Sequence, residues 1–396
     1  MGLKGQPSCI ARKEIAAATA DQPFVRSMKI LAVEENLLRP RGGGELSFRT
    51  LLGKLSERHD VFSFGKQVPE PVHTGFPASG LPVFEMPRTY MLSKYLVFKQ
   101  VERQIGRYIE QISPDIVLTQ QGFAAPTLKA ASRAGVPSVA FIRNYEHFCL
   151  CSNPERKCDR RCSECYGYGR CNPYRHCVDT VFAYEKHWLA EASLLVSNST
   201  YMRGVVKDWL DLDSTVVYPF VQPFRTLSYD PMYITFINPS KHKGIETVLK
   251  LARLLPERKF LVVGSSAGAN LPVTDNVTCI PWANDISSVY SLTRILLVPS
   301  VWPEPFGRVC AEAASLGVPC VASRIGGIPE VVGDGGILVE DIENVDEWVK
   351  GIETLDSETA YAEYSRNARR HANTFSLDET MRTFTSQVEA GLGLQL

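Results

Sequence analysis

Short apolar runs alternate with longer stretches of helical periodicity along almost the whole chain. The first run, Met28–Glu35 (MKILAVEE), leads into a loop holding Gly42, Gly43 and Gly44, and a helical pattern follows from Glu45 to Glu57. Further runs fall at Asp115–Leu118, Val136–Ile142, Leu194–Ser197 and Thr215–Tyr218. After Pro219 and Pro223 the pattern restarts at Met232–Ile237. It continues through Lys259–Val263, Val277–Ile280, Ile295–Pro299, Val318–Ala322 and Gly336–Val339. Continuous apolar runs separated by helices predict parallel strands buried on both faces. We therefore expect an α/β protein of two facing Rossmann-like domains with parallel sheets, residues 28–222 and 223–375. Residues 1–27 form an N-terminal extension, and residues 376–396, with a helix at Leu377–Ala390, pack back across the interdomain cleft. Ligands of open α/β sheets bind at the carboxyl ends of the strands, so the cleft is the expected site.

The densest chemistry lies in residues 298–332, VPSVWPEPFGRVCAEAASLGVPCVASRIGGIPEVV. A strand ends near Pro299, a helix is expected from Gly307 to Leu316, Glu304 precedes that helix, and Glu312 sits two turns inside it. A helix start with glycine in its first turn offers free N–H groups and partial positive charge to an anion. A carboxylate further along the same helix can accept paired hydrogen bonds from vicinal hydroxyls. Phosphate and sugar are both addressed.

This stretch resembles the signature of glycosyltransferase family 4: Glu304-Pro305-Phe306-Gly307, then Glu312, Gly317-Val318-Pro319 and Gly326-Gly327-Ile328-Pro329-Glu330. The resemblance implies a GT-B fold, a nucleotide-sugar donor (UDP-, GDP- or ADP-sugar) on the C-terminal domain, an acceptor on the N-terminal one, and transfer with retention. It implies that Glu312 holds the donor ribose, Glu304 the hydroxyls of the transferred sugar, and the Phe306–Val309 backbone, through Gly307 and Arg308, the sugar and phosphates. No catalytic metal is implied. The acceptor hydroxyl belongs to a glycan, a lipid-linked sugar or a small molecule. Lys243-Gly244, just after the strand Met232–Ile237, resembles the family's lysine-glycine motif, where a cation neutralises the departing diphosphate. The arginine usual about six residues earlier is absent: Ile237 and Asn238 stand there, and Lys241 is the nearest substitute.

In the N-terminal half, Gly42-Gly43-Gly44-Glu45 resembles the family's glycine loop beside the donor phosphates, which places Gly43 and Gly44 against the ligand. The strand ending at Ile142 runs into Arg143-Asn144-Tyr145-Glu146-His147. Many family members carry a cleft-facing histidine at this strand end; here Arg143 offers a fork for phosphate or carboxylate but no base, and His147 is either a stand-in or, beside the cysteines, a metal ligand or packing residue. A catalytically degenerate scaffold acting as a metal-stabilised binding protein is the alternative.

Charge refines the layout. Lys+Arg and Asp+Glu are both 43, which gives no overall basic field for nucleic acid. The balance is a cancellation: residues 28–222 carry +4 and residues 223–396 carry −6. A basic amphipathic helix over Met91–Gln111 (Lys94, Lys99, Arg103, Arg107) either rests on an anionic membrane or shows solvent its charged face. No long apolar run or leader pattern is present, so a cytoplasmic protein is expected, with peripheral membrane contact at most.

Finally, Cys149, Cys151, Cys158, Cys162, Cys165, Cys171 and Cys177 crowd one insertion, residues 147–177, beside the acceptor strand. Their short spacings suit several thiolates on one metal, with structural zinc first, and an iron–sulfur cluster or disulfides as alternatives.

Overall fold

The computed structural model describes all residues except 1–25, 41, 69–74, 83–89, 148–174, 222–230, 265–273 and 284. Two parallel sheets carry the fold. The first comprises β1 (Lys29–Glu34), β2 (Asp60–Lys66), β3 (Ala78–Leu81), β4 (Ile116–Gln120), β5 (Ser138–Ile142), β6 (Leu194–Ser197) and β7 (Thr215–Val216), in the order β3-β2-β1-β4-β5-β6-β7. The second comprises β8 (Tyr233–Ile237), β9 (Lys259–Val263), β10 (Val277–Ile280), β11 (Thr293–Val298), β12 (Cys320–Ser323) and β13 (Gly336–Val339), ordered β10-β9-β8-β11-β12-β13. Every residue of β4 and β5 is buried, as continuous apolar runs in a doubly covered sheet require. β2 and β3 were not among the expected strands: β2 alternates buried and exposed positions at its start, and β3 buries only Leu81.

The helices are α1 (Gly43–Leu55), α2 (Tyr90–Ile112), α3 (Ala124–Ala134), α4 (Arg175–Ala190), α5 (Thr200–Leu210), α6 (Ile245–Leu254), α7 (Ile286–Ser291), α8 (Arg308–Ser315), α9 (Ile328–Val332), α10 (Val345–Thr354), α11 (Glu358–Ala372) and α12 (Leu377–Leu392). Strand order reverses between β1 and β4 in the first sheet and between β8 and β11 in the second, so each sheet opens a crevice at the carboxyl ends of those strands.

The boundary expected at 222/223 lies outside the described residues. Beyond Phe375, which belongs to the core of the second sheet, α12 returns to the first, and Phe384 and Val388 join its core with Phe48 and Phe141. Both passages between the domains are tied together, since the Val221 amide donates to the Phe375 carbonyl at 2.7 Å. Helix α2 buries Phe98, Val101, Ile105 and Ile109 and leaves Arg103 and Arg107 exposed, while Lys99 lies near Glu102 at 3.6 Å. Among the described residues no helix is long and apolar enough to cross a membrane.

Candidate active site

At the crevice of the second sheet, β8 gives way to Asn238, a short 3-10 turn at Lys241–Lys243, and Gly244, which takes φ of 88° and opens α6. The turn aims Lys243 inward: its Nζ donates to Glu304 Oε1 at 2.5 Å and lies 5.0 Å from the Trp302 ring centroid. Ser300 Oγ donates to the same carboxylate oxygen at 3.2 Å. The loop bearing Glu304 is held from behind by the glycine pair of the next motif. The Gly327 amide donates to the Glu304 carbonyl at 2.7 Å, and a Cβ on Gly326, whose φ is 61°, would come 2.5 Å from that oxygen. These glycines serve close backbone approach, which no larger residue permits.

Gly307, with φ of 98°, starts α8. One turn separates Arg308 from Glu312, and Arg308 Nε donates to Glu312 Oε1 at 2.7 Å. The Tyr290 hydroxyl donates to the other oxygen at 2.9 Å, so the Glu312 carboxylate is fixed in orientation. Burial, with the Glu312 charge added, pushes the Tyr290 phenol well above its ordinary pKa and keeps it a donor. Asn238, Lys243, Trp282, Glu304, Arg308 and Glu312 line one cavity of about 350 Å³. Trp282 stands at its mouth, 59% exposed.

Facing it, the first sheet supplies a second cavity of about 400 Å³, lined by Gly43, Gly44, Glu45, Arg143 and Glu146 from one domain and by Phe306 from the other. The two cavities share Glu304 and Arg308. Helix α1 begins here with no side-chain cap, since its N-cap is Gly42. Arg143, at the end of β5, donates from Nε to Gln120 Oε1 at 2.8 Å and lies over the Phe141 ring at 5.0 Å. Burial, reinforced by the charge of Arg308, pulls the Arg143 guanidinium down to about 10. Nearby Glu34 is fully buried at the end of β1; its Oε1 accepts from the Asn36 amide at 2.8 Å, and its Oε2 has no partner among the described residues. Burial, opposed by that hydrogen bond and aided by Glu45, Glu35 and Glu146, pushes the Glu34 carboxyl up to about 9, so it stays neutral at physiological pH.

The domains meet along a hydrogen-bonded seam. Glu330 accepts from the amides of Thr200 at 2.9 Å and Tyr201 at 3.0 Å, capping α5, and from the Tyr218 hydroxyl at 3.0 Å. The Tyr145 hydroxyl donates to the Pro303 carbonyl at 2.6 Å and Ser199 Oγ to that of Pro305 at 2.5 Å. From the other side Arg308 Nη1 donates to Ser47 Oγ at 3.0 Å and to the Gly43 carbonyl at 3.3 Å.

Of the residues singled out in the sequence, Gly43, Gly44, Arg143, Lys243, Glu304, Phe306, Gly307, Arg308, Val309 and Glu312 all line these two cavities. Lys241 is exposed and lines neither cavity. His147 lines neither either: it is buried with Nδ1 3.8 Å from Glu185 Oε2. Cys149, Cys151, Cys158, Cys162, Cys165 and Cys171 lie outside the described residues, as does the side chain of Cys177 in α4. Sequence reasoning passed over Glu34, Tyr290, Ser300 and Trp302. Only Glu34 carried a signal, as an acidic residue closing a buried apolar strand.

This geometry can be set beside known proteins. Residues 227–371 match the family described as glycosyl transferases, group 1. The match covers the second sheet and both members of the Lys243–Glu304 pair. Among curated proteins, D-inositol 3-phosphate glycosyltransferase of Mycobacterium sp. (strain KMS) is 34% identical over 211 residues, covering 47% of this chain and 47% of the relative. That of Mycobacterium marinum is 30% identical over 171 residues, covering 38% of this chain and 36% of the relative. The chain thus spans about half or less of the length of these relatives. In three dimensions it is similar to sucrose-phosphate synthase from Thermosynechococcus elongatus, with a TM-score of 0.70 at 16% identity over 93% of this chain and 99% of that one. It is also similar to Anabaena Alr3699/HepE in complex with UDP and glucose, with a TM-score of 0.69 at 18% identity over 92% and 100%. Two facing parallel-sheet domains with these neighbours make the fold GT-B.

Proposed function

We propose that this chain is a retaining glycosyltransferase that moves a sugar from a nucleoside-diphosphate sugar to an acceptor hydroxyl. The carrying observation is the joint placement of Lys243–Glu304 and Arg308–Glu312 in one cavity at the crevice of the second sheet. In this reading Glu312 accepts from the ribose hydroxyls, Glu304 from the sugar, and Lys243 faces the diphosphate. The sugar C1–O bond breaks with its electron pair going to the phosphate oxygen. The acceptor oxygen bonds C1 from the same face, and its proton passes to that phosphate oxygen, so no protein base is required. Arg143 at the acceptor strand is consistent with such a reaction, since it holds charge and moves no proton.

The test is a thermal-shift screen with UDP, GDP and ADP, followed by donor hydrolysis across nucleotide sugars. At least one diphosphate should raise Tm, because a ligand that binds only the folded state stabilises it. Silence from all three favours the binding-scaffold reading. Glu312→Ala should raise the donor KM about ten- to a hundredfold, the loss of charge-assisted hydrogen bonds of about 1.5–3 kcal/mol. A donor KM unchanged by that substitution would remove the ribose assignment.

We further propose that the cysteines of residues 147–177 hold structural zinc, on the strength of their spacing. Protein purified without oxygen should contain about one or more zinc equivalents per chain by elemental analysis. Less than half an equivalent of zinc sinks the proposal, and iron in its place points to a cluster.

A further inference from the structure

Three cations among the described residues line the two cavities: Lys243, Arg143 and Arg308. Lys243 is already paired with Glu304, as Arg308 is with Glu312, which offsets part of each charge. A departing diphosphate carries about two negative charges or more, so one compensated lysine leaves most of that charge without a counter-ion.

The two arginines come from opposite domains and lean on adjacent glycines at the uncapped start of α1. A Cβ on Gly43 would come 2.6 Å from Arg308 Cδ, and one on Gly44 would come 3.3 Å from Arg143 Cδ. Arg308 spends Nε on Glu312 and Nη1 on the Gly43 carbonyl and Ser47, while Arg143 spends Nε on Gln120. Arg308 Nη2 and both Nη atoms of Arg143 have no hydrogen-bond partner among the described residues, and both side chains line the shared cavity. Glu45 is close enough for Arg143 to feel its charge, yet forms no ion pair with it among the described residues, and Glu34 is held neutral. Two guanidinium groups confined this way at one cavity are arranged for an anion between them.

We propose that Arg143 and Arg308 close over the donor diphosphate from opposite domains, above the first amides of α1, and take up the charge released when the C1–O bond breaks. The proposal rests on the glycosyltransferase reading and deepens it: the cation set that stabilises the leaving group is split across the seam and is complete only when the domains are together. The shared chemistry is phosphate, and an acceptor phosphate is the competing source.

The experiment measures binding of UDP, GDP, ADP, the matching monophosphates and inorganic pyrophosphate to the wild type, Arg143→Gln, Arg143→Lys and Arg308→Gln, with steady-state kinetics on the donor found in the screen. The clamp predicts at least about tenfold weaker diphosphate and pyrophosphate binding in Arg143→Gln and Arg308→Gln, a smaller loss for the monophosphate, and partial recovery in Arg143→Lys. It also predicts a lower kcat in Arg143→Gln with the acceptor KM unchanged. Wild-type diphosphate affinity in Arg143→Gln overturns the clamp while leaving the glycosyltransferase reading intact, and a raised acceptor KM in that variant moves Arg143 to an acceptor phosphate. If the wild type binds neither nucleotide nor pyrophosphate, both fall together. If it binds pyrophosphate through these arginines and no nucleotide, the anion site stands and the donor reading falls.

Discussion

Lys243→Ala is expected to lower sugar transfer about 10²–10³-fold, the scale for removing one preorganised charge donor from a developing oxyanion. Lys243 is held by the 3-10 turn and the Trp302 ring, so in the proposed reaction its ammonium would meet the leaving group with little reorganisation. The loss should fall on kcat more than on nucleoside binding, because the charge it meets develops as the C1–O bond breaks. Stability should fall as well, by about 1–3 kcal/mol, between the values for exposed and fully buried ion pairs, since among the described residues the Glu304 carboxylate would keep only Ser300 as a partner. The double variant Lys243→Met with Glu304→Gln separates the two effects. It removes both charges and should recover most of the stability while turnover stays low. A single variant that folds well and retains wild-type kcat would remove Lys243 from the leaving-group role.

Gly244→Ala should be the most damaging substitution for folding near the site. At φ of 88° any other residue pays a backbone penalty of about 1–2 kcal/mol, and here the added Cβ would also overlap the Pro299 carbonyl. Neither obstacle is the far end of a flexible side chain, so relief requires the β8–α6 turn to part from the end of β11. We expect a loss of about 2–4 kcal/mol, or roughly 4–16 °C in Tm for a domain of this size. Because the same turn aims Lys243, donor hydrolysis should fall even at temperatures where the variant remains folded. Denaturant midpoints matching the wild type would show that the turn yields more easily than its contacts imply.

What the sequence disclosed was local. Glu304 and Glu312 are legible because a strand end, a glycine helix start and two helical turns fix their separation, and Lys243-Gly244 is legible for the same reason at β8. What stayed hidden depends on partners far along the chain. Glu330 reads only as the end of a motif, yet it caps α5 some 130 residues away. Tyr290, which orients Glu312, looks like an ordinary core aromatic. The neutral state of Glu34 comes from complete burial among other carboxylates, which no spacing rule encodes. Lys241 and His147 depend on the fold in the same way: residue type and register put them near the cleft, yet neither lines the two cavities, and His147 is buried beside Glu185, in keeping with the packing role that its sequence position leaves open. Strands β2 and β3 escaped because they lie toward one edge of the first sheet, where partial exposure weakens the apolar pattern.

The bond between Val221 and Phe375 has a mechanical meaning. The two passages between the domains run side by side there, like the paired knuckles of a door hinge. With both pinned along one line, shear and twist of one domain against the other would strain two backbone segments at once. Rotation about that line strains neither. Opening the halves about that line would have to break the bonds that cross the seam, from Arg308 to Ser47 and the Gly43 carbonyl and from Glu330 to the Thr200 and Tyr201 amides.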